Sequence, residues 1–366
     1  MTLRTIAVKK KFGETPEKII RKEMSNQLPA NFKIKTNHSL RKYNTFGMNV
    51  KAKAFLKIYS TIQLQNLLSQ YDGPLFILGG GSNMLLTQDV DSLVLHNQIM
   101  GQEISRRFKK TVYVRAGGGE NWHDFVYWTI AQELGGLENL SLIPGTVGAS
   151  PIQNIGAYGV ELKDVFHQLK AIDIQTGELK TFRHKDCEFG YRDSVFKRKL
   201  KGRYFITEVI FKLSLEPKVN IRYGAIQRVL EEKGIENPGI DDVSQAVIEI
   251  RSSKLPDPAK IGNSGSFFKN PEVSNRLFKK IQKDNPAMPF YPLAGNKTKI
   301  PAGWLIEQCG WKGKRVGETG CHKDQALVLV NYGKATGQEI WTHAERVMDS
   351  VEERFGIRLE AEVNLF

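Results

Sequence analysis

The sequence predicts an α+β protein with two principal domains. Three observations predict it. Short apolar or alternating runs recur between residues 52 and 213, with amphipathic helical segments between them. Glycine-rich turns at 79–81, 117–119 and 144–159 interrupt that first half. After Pro217 the pattern changes to longer helical segments bounded by prolines and glycines.

Each element has its own signal. Residues 52–59 (AKAFLKIY) alternate as a strand, and regular structure is expected to begin near Asn44. Ser60 is a fitting N-cap for a helix over 60–68, with Leu64, Leu67 and Leu68 on one face. PLFIL (74–78) is a short apolar run entering Gly79-Gly80-Gly81, the pattern of a buried strand and tight turn. Residues 91–96 and 111–117 are further strands, and 120–134 is an amphipathic helix closed by Gly135-Gly136. Residues 169–175 and 204–213 are strands of a second cluster. In the second half, 243–255 is a helix stopped by Pro256 and Pro258. Asn270-Pro271 is expected to open another helix running to Asp284, with proline at its first position. A helix over 301–309, a strand over 326–332, a long helix over 337–356 and a terminal strand over 357–366 complete the pattern.

Composition excludes several classes. Of 366 residues, 40% are hydrophobic and 25% charged, which excludes a wholly disordered chain. No run approaches the ~20 apolar residues of a membrane span. The first residues are charged without an apolar core, so no secretory signal is expected. Three cysteines without a CxxC pair, and seven histidines without ligand spacing, leave no metal site and no disulfide framework. The chain reads as a reduced, cytoplasmic protein. The net charge of +14 is uneven: residues 1–43 carry eleven Lys/Arg against three Glu, and the other 323 residues carry only +6. Residues 1–35 therefore read as a flexible basic extension with one short helix over 15–24, not as a nucleic-acid face. The modest balance of the body suits an anionic substrate.

Six segments carry candidate chemistry. ILGGGSN (77–83), AGGGENW (116–122) and PGTVGASPIQNIGAYG (144–159) are glycine loops that let backbone N–H groups approach a phosphate. Neither GxGxxG nor GxxxxGK[ST] occurs, and any one loop alone would be an ordinary turn. Three in one domain favour an extended, phosphate-bearing cofactor, with a pyrophosphate nucleotide as the natural candidate. CEFGYRDSVFK (187–197) sets Tyr191, Arg192, Asp193 and Ser194 together, a pattern that also fits a surface Arg–Asp pair. In GNSGSFFKNP (262–271), Ser266 follows a glycine but is not part of GxSxG. In LEAEVNLF (359–366), Glu360 and Glu362 would share one strand face, one of them aimed into a cleft.

Together these segments resemble the UDP-N-acetylenolpyruvoylglucosamine reductase family, from about Asn37 to Phe366. The likeness rests on NHSLRKYNTFG (37–47), LGGGSN, residues 135–159, FGYRDS, KLPDP (254–258), GNSGSFFKNP, AGWLIEQCG (302–310), HKDQALVLV (322–330) and LEAEV, in order. Residues 222–226, with Tyr223, look like the additional tyrosine loop of one branch. The chain runs four residues past Glu362, where some members continue with a further short strand.

The resemblance implies an FAD-binding domain of the vanillyl-alcohol-oxidase (PCMH) type over 44–216, in subdomains of about 44–97 and 98–216. It implies an α/β substrate-binding domain over 217–355 and a terminal strand over 356–366 carrying Glu362. FAD would be held non-covalently by Thr45, Gly79, Gly80, Gly81, Ser82, Asn83, Gly145, Gly148, Ser150, Pro151, Asn154, Gly156 and Gly159. Tyr191, Tyr223, Lys254, Asn270 and Gln325 would bind the UDP-sugar enolpyruvyl ether, Tyr191 also neighbouring the nicotinamide. Arg192, Ser266 and Glu362 would be catalytic, with NADPH as the hydride-donating co-substrate. A monomer without nucleic-acid or membrane partners is implied. Two other readings stay open: a flavin-dependent alcohol oxidase using oxygen, and a basic nucleic-acid-binding protein resting on the N-terminal segment alone.

Overall fold

The computed structural model describes residues 32–366. The helix expected over 15–24, and nearly all of the extension expected over 1–35, lie outside the described residues.

Regular structure begins earlier than Asn44. Strand β1 (Lys35–Ser39) pairs antiparallel with β2 (Lys51–Ile58), Lys35 standing opposite Phe55. Its alternating side chains are mostly basic or polar, so hydrophobic periodicity misses this edge strand. Strands β3 (Leu75–Leu78) and β4 (Val90–Asn97) complete a mixed sheet in the order β1-β2-β4-β3, with β4 parallel to both neighbours. Helix α1 (Thr61–Leu68) is capped by Ser60, whose Oγ accepts from the Gln63 N–H at 3.1 Å, and it buries Leu64 and Leu67.

The second sheet is antiparallel. It comprises β5 (Gln102–Arg107), β6 (Thr111–Gly117), β7 (Phe166–Asp173), β8 (Leu179–Arg183) and β9 (Tyr204–Ser214), in the order β8-β7-β9-β6-β5. Helix α2 (Trp122–Ala131) starts at Asn121, whose Oδ1 accepts from the N–H groups of His123 and Asp124. Phe125 of α2 lies 5.1 Å, centroid to centroid, from Phe211 of β9. Ile172 and Phe205 of the second sheet join Leu64 and Leu95 in one buried cluster, which fixes the two sheets against each other.

Helices α3 (Gly224–Glu232) and α4 (Ile240–Lys254) pack through Ile226, Leu230, Val243 and Val247. A third sheet follows, built from β10 (Gly262–Ser266), β11 (Arg315–Val316), β12 (Thr319–Cys321) and β13 (Val328–Asn331) in the order β10-β13-β12-β11. Around it lie α5 (Asn275–Asp284), α6 (Ala302–Gln308) and α7 (Gly337–Phe355). A reciprocal Thr336–Glu339 capping box opens α7, and Gly356 ends it in the left-handed region at φ +66°.

Two expected elements differ. Asn270-Pro271 opens no helix: Glu272–Ser274 is a short strand paired with Lys297–Lys299, and α5 begins afterwards with Ser274 as its cap. Asn270 is engaged elsewhere, its Oδ1 accepting from the Ala302 N–H at the start of α6 at 2.9 Å. The terminal segment is not one continuous strand either. Only Asn364–Leu365 forms a ladder, parallel to Met84–Leu85, and Ala361 makes an isolated bridge to Phe268. The segment crosses from the edge of the third sheet to the edge of the glycine loop and pairs with each in turn.

Candidate active site

Close backbone packing marks the site. A Cβ on Gly80 would stand 2.8 Å from the Gly145 Cα, and one on Gly81 would stand 2.0 Å from the Tyr43 carbonyl oxygen. Gly81 also has φ +63°, so glycine is required there. The 79–83 loop is thereby pressed against the 144–150 loop, and the Ser82 hydroxyl donates to the Pro144 carbonyl at 3.1 Å. The Thr45 N–H donates to the Gly81 carbonyl at 3.1 Å, and its hydroxyl lies 3.4 Å from that of Ser264. The Asn83 amide donates to the Gln153 side chain.

Between these loops opens a cleft of about 280 Å³, whose lining includes the 79–83 loop together with Arg192, Ser266 and Glu362. Beside it lies a second cavity of about 470 Å³, and Thr146 belongs to the walls of both. The Thr146 hydroxyl is buried without a hydrogen-bond partner among the described residues. A buried hydroxyl left unpaired at a cavity wall is a binding group for a ligand oxygen.

Arg192 and Glu362 meet across the cleft. The Arg192 backbone is left-handed at φ +53°, a costly conformation for a residue other than glycine and one often kept at functional sites. Its Nη2 donates to the Gly156 carbonyl at 2.6 Å, and its Nε stands 3.2 Å from Glu362 Oε1. The neighbouring Asp193 pairs with Arg198 instead, so the Arg–Asp surface pair that the sequence allowed does not form. The Glu362 N–H donates to the Phe267 carbonyl at 2.8 Å, and Lys197 Nζ donates to the Glu362 carbonyl at 3.3 Å. Burial pushes the Glu362 carboxyl above its ordinary range, and the cations of Arg192, Lys197 and Lys269 oppose that shift without cancelling it. Glu360 does not share this face: it is exposed and pairs with Lys269. Ser266 ends β10 opposite Val328, directly after Gly265 at φ +67°, and lines the cleft.

The five expected substrate residues stand outside the cleft lining. Lys299 Nζ lies 3.5 Å from the Tyr191 ring centroid, and Asn270 is held by the Ala302 N–H. Tyr223 is 41% exposed and packs edge-on to Tyr158 at 5.1 Å. Gln325 Oε1 accepts from the Leu327 N–H at 3.4 Å, and Lys254 is the exposed last residue of α4.

The expected cofactor residues divide. Residues 79–83, Gly145, Ser150 and Gly156 line the cleft, and Gly148 lines the second cavity. Asn154 lines neither: fully buried at φ +45°, its amide donates to Glu161 and to the Gly190 carbonyl, so it closes the loop from behind. Pro151 and Gly159 are likewise part of the loop's frame, outside both linings. Thr146, Arg251 and Phe366 are among the lining residues that sequence reasoning missed. Thr146 sits within the quoted glycine loop, and a hydroxyl between two glycines was the available signal. Arg251 looks like an ordinary surface charge on a helix, yet it lines the cleft and donates to the Leu142 carbonyl at 3.2 Å. Burial lowers its guanidinium pKa. Phe366 gives no local signal at all.

Comparison with known proteins bears on the family and the fold. A family model described as FAD binding domain matches residues 57–183, and one described as UDP-N-acetylenolpyruvoylglucosamine reductase, C-terminal domain, matches residues 257–366. The UDP-N-acetylenolpyruvoylglucosamine reductase of Flavobacterium johnsoniae is 53% identical over 334 residues, covering 91% of this chain and 99% of its own. The chain belongs to the UDP-N-acetylenolpyruvoylglucosamine reductase family. A second member, from Pseudomonas syringae pv. tomato, is 51% identical over 331 residues, covering 90% of this chain and 97% of its own. The crystal structure of a reductase of this family from Thermus caldophilus superposes with a TM-score of 0.65 at 22% identity, covering 92% of this chain and 99% of that one. A 4-ethylphenol oxidase from Gulosibacter chungangensis shares the fold more distantly, with a TM-score of 0.51 at 12% identity over 97% of this chain and 90% of that one. The α+β fold of the vanillyl-alcohol-oxidase type, expected from the sequence, is thus the fold of this chain.

The residues present fit a flavin dinucleotide. The glycine cradle leaves no room for a Cβ at Gly79, where it would approach the Thr146 hydroxyl to 2.9 Å, and that hydroxyl itself lacks a partner. Backbone amides and a free hydroxyl are the donors a pyrophosphate needs. Among the described residues, no group of His, Cys, Asp and Glu is arranged to hold a metal ion, and no helix is long and apolar enough to cross a membrane.

Proposed function

We propose that this protein reduces the enolpyruvyl group of UDP-N-acetyl-3-O-(1-carboxyvinyl)-glucosamine to UDP-N-acetylmuramate, a step in peptidoglycan synthesis. The observation that carries this reading is the meeting of Arg192, Glu362 and Ser266 in one cleft beside the glycine cradle, in a chain of this family. When bound, FAD supplies the hydride, which it receives from NADPH.

The substrate's double bond is conjugated to a carboxylate. Hydride addition at the terminal carbon leaves negative charge on the adjacent carbon and the carboxylate oxygens. Arg192 offers a permanent, forked cation at that charge, held in place by its bond to the Gly156 carbonyl. Glu362 stands beside Arg192 and, in its protonated form, which burial favours, donates a hydrogen bond to the developing enolate. Ser266 delivers the proton to the carbanion carbon and is itself reprotonated from water or a neighbour. Thr45, Thr146 and the 79–83 and 144–156 loops hold the cofactor. Tyr223, Lys254, Asn270 and Gln325 grip the uridine diphosphate, and Tyr191 orients the sugar nucleotide or the nicotinamide. In functional terms, residues 44–216 hold the cofactor, 217–355 hold the substrate, and 356–366 carry Glu362 between them. The enzyme works as a cytoplasmic monomer, with neither nucleic acid nor membrane as a partner.

The test is spectroscopic. The purified protein, charged with FAD, should show a bound-flavin spectrum that bleaches with NADPH under anaerobic conditions. Colour should return on adding the enolpyruvyl sugar nucleotide, before any air is admitted. Return of colour only with air would indicate an oxidase instead. A protein that takes up no FAD would overturn the reading altogether.

A further inference from the structure

The last residues of the chain lie against the glycine cradle and not on the domain that precedes them. Asn364–Leu365 pairs in parallel with Met84–Leu85, immediately after the 79–83 loop. The ladder is reinforced at both ends. The Asn364 amide donates to the Asn83 carbonyl at 3.0 Å. The Phe366 N–H donates to the Leu85 carbonyl at 3.0 Å, and the Thr87 hydroxyl donates to the Phe366 carbonyl at 2.7 Å.

This attachment places side chains in the cavities. Asn364 and Phe366 line both the 280 Å³ cleft and the 470 Å³ cavity beside it. Phe366 packs edge-on to Phe76 of β3 at 4.9 Å, and Lys201 Nζ stands 5.9 Å from its ring. Lys197 and Lys201 bring positive charge to the second cavity. Two adjoining cavities with a common wall, cations beside one and an unpartnered hydroxyl in both, suit an elongated anionic ligand that occupies both. Phe366 is still 39% exposed, so a large apolar ring is left partly bare at that wall. Cover for a bare ring at a cavity wall is supplied by a ligand with a flat apolar face.

We infer that Asn364 and Phe366 are cofactor-binding residues, forming the wall that FAD spans, and that the same four-residue zipper sets the position of Glu362. Filling of the cofactor site and placement of the catalytic carboxylate are then two results of one contact. The inference rests on the FAD-dependent reading above. Leu365, on the alternate side of the same strand, lines neither cavity and serves as the internal control.

The experiment measures FAD dissociation from the full-length holoenzyme by flavin fluorescence, for the wild type, Phe366→Ala and Leu365→Ala. Phe366→Ala should release FAD about tenfold faster, and Leu365→Ala should stay within about twofold of the wild type. Thr87→Val, which loosens the zipper without touching a cavity, should also speed release. Hydrogen exchange supplies an independent reading: FAD should protect the amides of Glu362, Asn364 and Phe366 in the wild type. Equal release rates for Phe366→Ala and the wild type, or FAD-independent exchange of those amides, would overturn the inference while leaving the enzymatic reading intact. A wild type that binds no FAD would overturn the enzymatic reading instead.

Discussion

In the proposed mechanism three side chains of the cleft divide one reaction, and each division can be measured. Ser266 acts only after hydride has moved, so Ser266→Ala should leave flavin reduction by NADPH within about twofold and lower the sugar-nucleotide half-reaction by about 1,000-fold. Equal loss in both half-reactions would remove the proton-donor role. Arg192 works through its fork as well as its charge. Arg192→Lys keeps the charge but loses the geometry held by the Gly156 carbonyl, and turnover should fall by about 100-fold or more with little change in substrate affinity. Unchanged turnover in rapid kinetics would exclude Arg192 from stabilising the enolate. In the same mechanism Glu362 is the group expected to carry the pH dependence. Its carboxyl is raised by burial, so the folded chain holds that proton more tightly than the unfolded chain does. The stability this contributes is complete below the ordinary carboxylate range and is lost as pH rises through the raised value. Turnover that needs the protonated form should fall across the same interval. Glu362→Gln cannot ionise, and its lower turnover should lose that alkaline limb. A pH profile for Glu362→Gln that kept the limb would assign it to another group.

At the level of elements, the sequence was readable wherever a pattern is local. Strand β6 spans the expected residues 111–117 without change, and α2, α4 and α7 lie within a few residues of their expected ends. Their signals are apolar periodicity, caps and glycines, which neighbours in the chain decide. The differences arise where a distant partner decides. Strand β1 exists because β2 offers an edge, and Asn270 caps α6 from 32 residues away instead of opening α5. The site shows the same division. The glycine loops and the segments holding Arg192, Ser266 and Glu362 are contiguous in the sequence and line the cleft, whereas Arg251 and Phe366 reach it only through folding. Thr146 stands between these cases, visible in a loop but meaningful only once its hydroxyl proves buried and unpaired. Thr146→Val keeps the shape and removes that donor. It should weaken FAD binding about fivefold to tenfold in a flavin titration, with the apoprotein as stable as the wild type. Wild-type affinity in the variant would mean that the hydroxyl meets no cofactor oxygen.

Across the whole molecule, the first sheet and the C-terminal region share one core. Leu40, Phe46 and Met48 belong to the same buried cluster as Phe267, Ile300 and Val347. Polar bonds stitch the same seam: the Asn263 N–H donates to the Thr45 carbonyl at 3.0 Å, and the Asn331 amide to the Phe46 carbonyl at 2.9 Å. Backbone contact is closest at the start of α7, where a Cβ on Gly337 would lie 2.0 Å from the Leu86 carbonyl oxygen. A shared core makes separate melting of the two regions costly, since either one alone would expose the apolar face of the other. Calorimetry should therefore show the first sheet and residues 257–366 unfolding in one transition. Bound FAD at a hundredfold excess over its dissociation constant should stabilise that transition by about 2.7 kcal/mol. Gly337→Ala sets a Cβ against the Leu86 carbonyl oxygen, so the seam must shift, and it should lower the midpoint of the single transition without splitting it. If Gly337→Ala instead produced two resolved transitions, with the FAD-dependent one unshifted, the cofactor site and the C-terminal region would be energetically independent. Glu362 would then have to find its place beside Arg192 without help from the shared core.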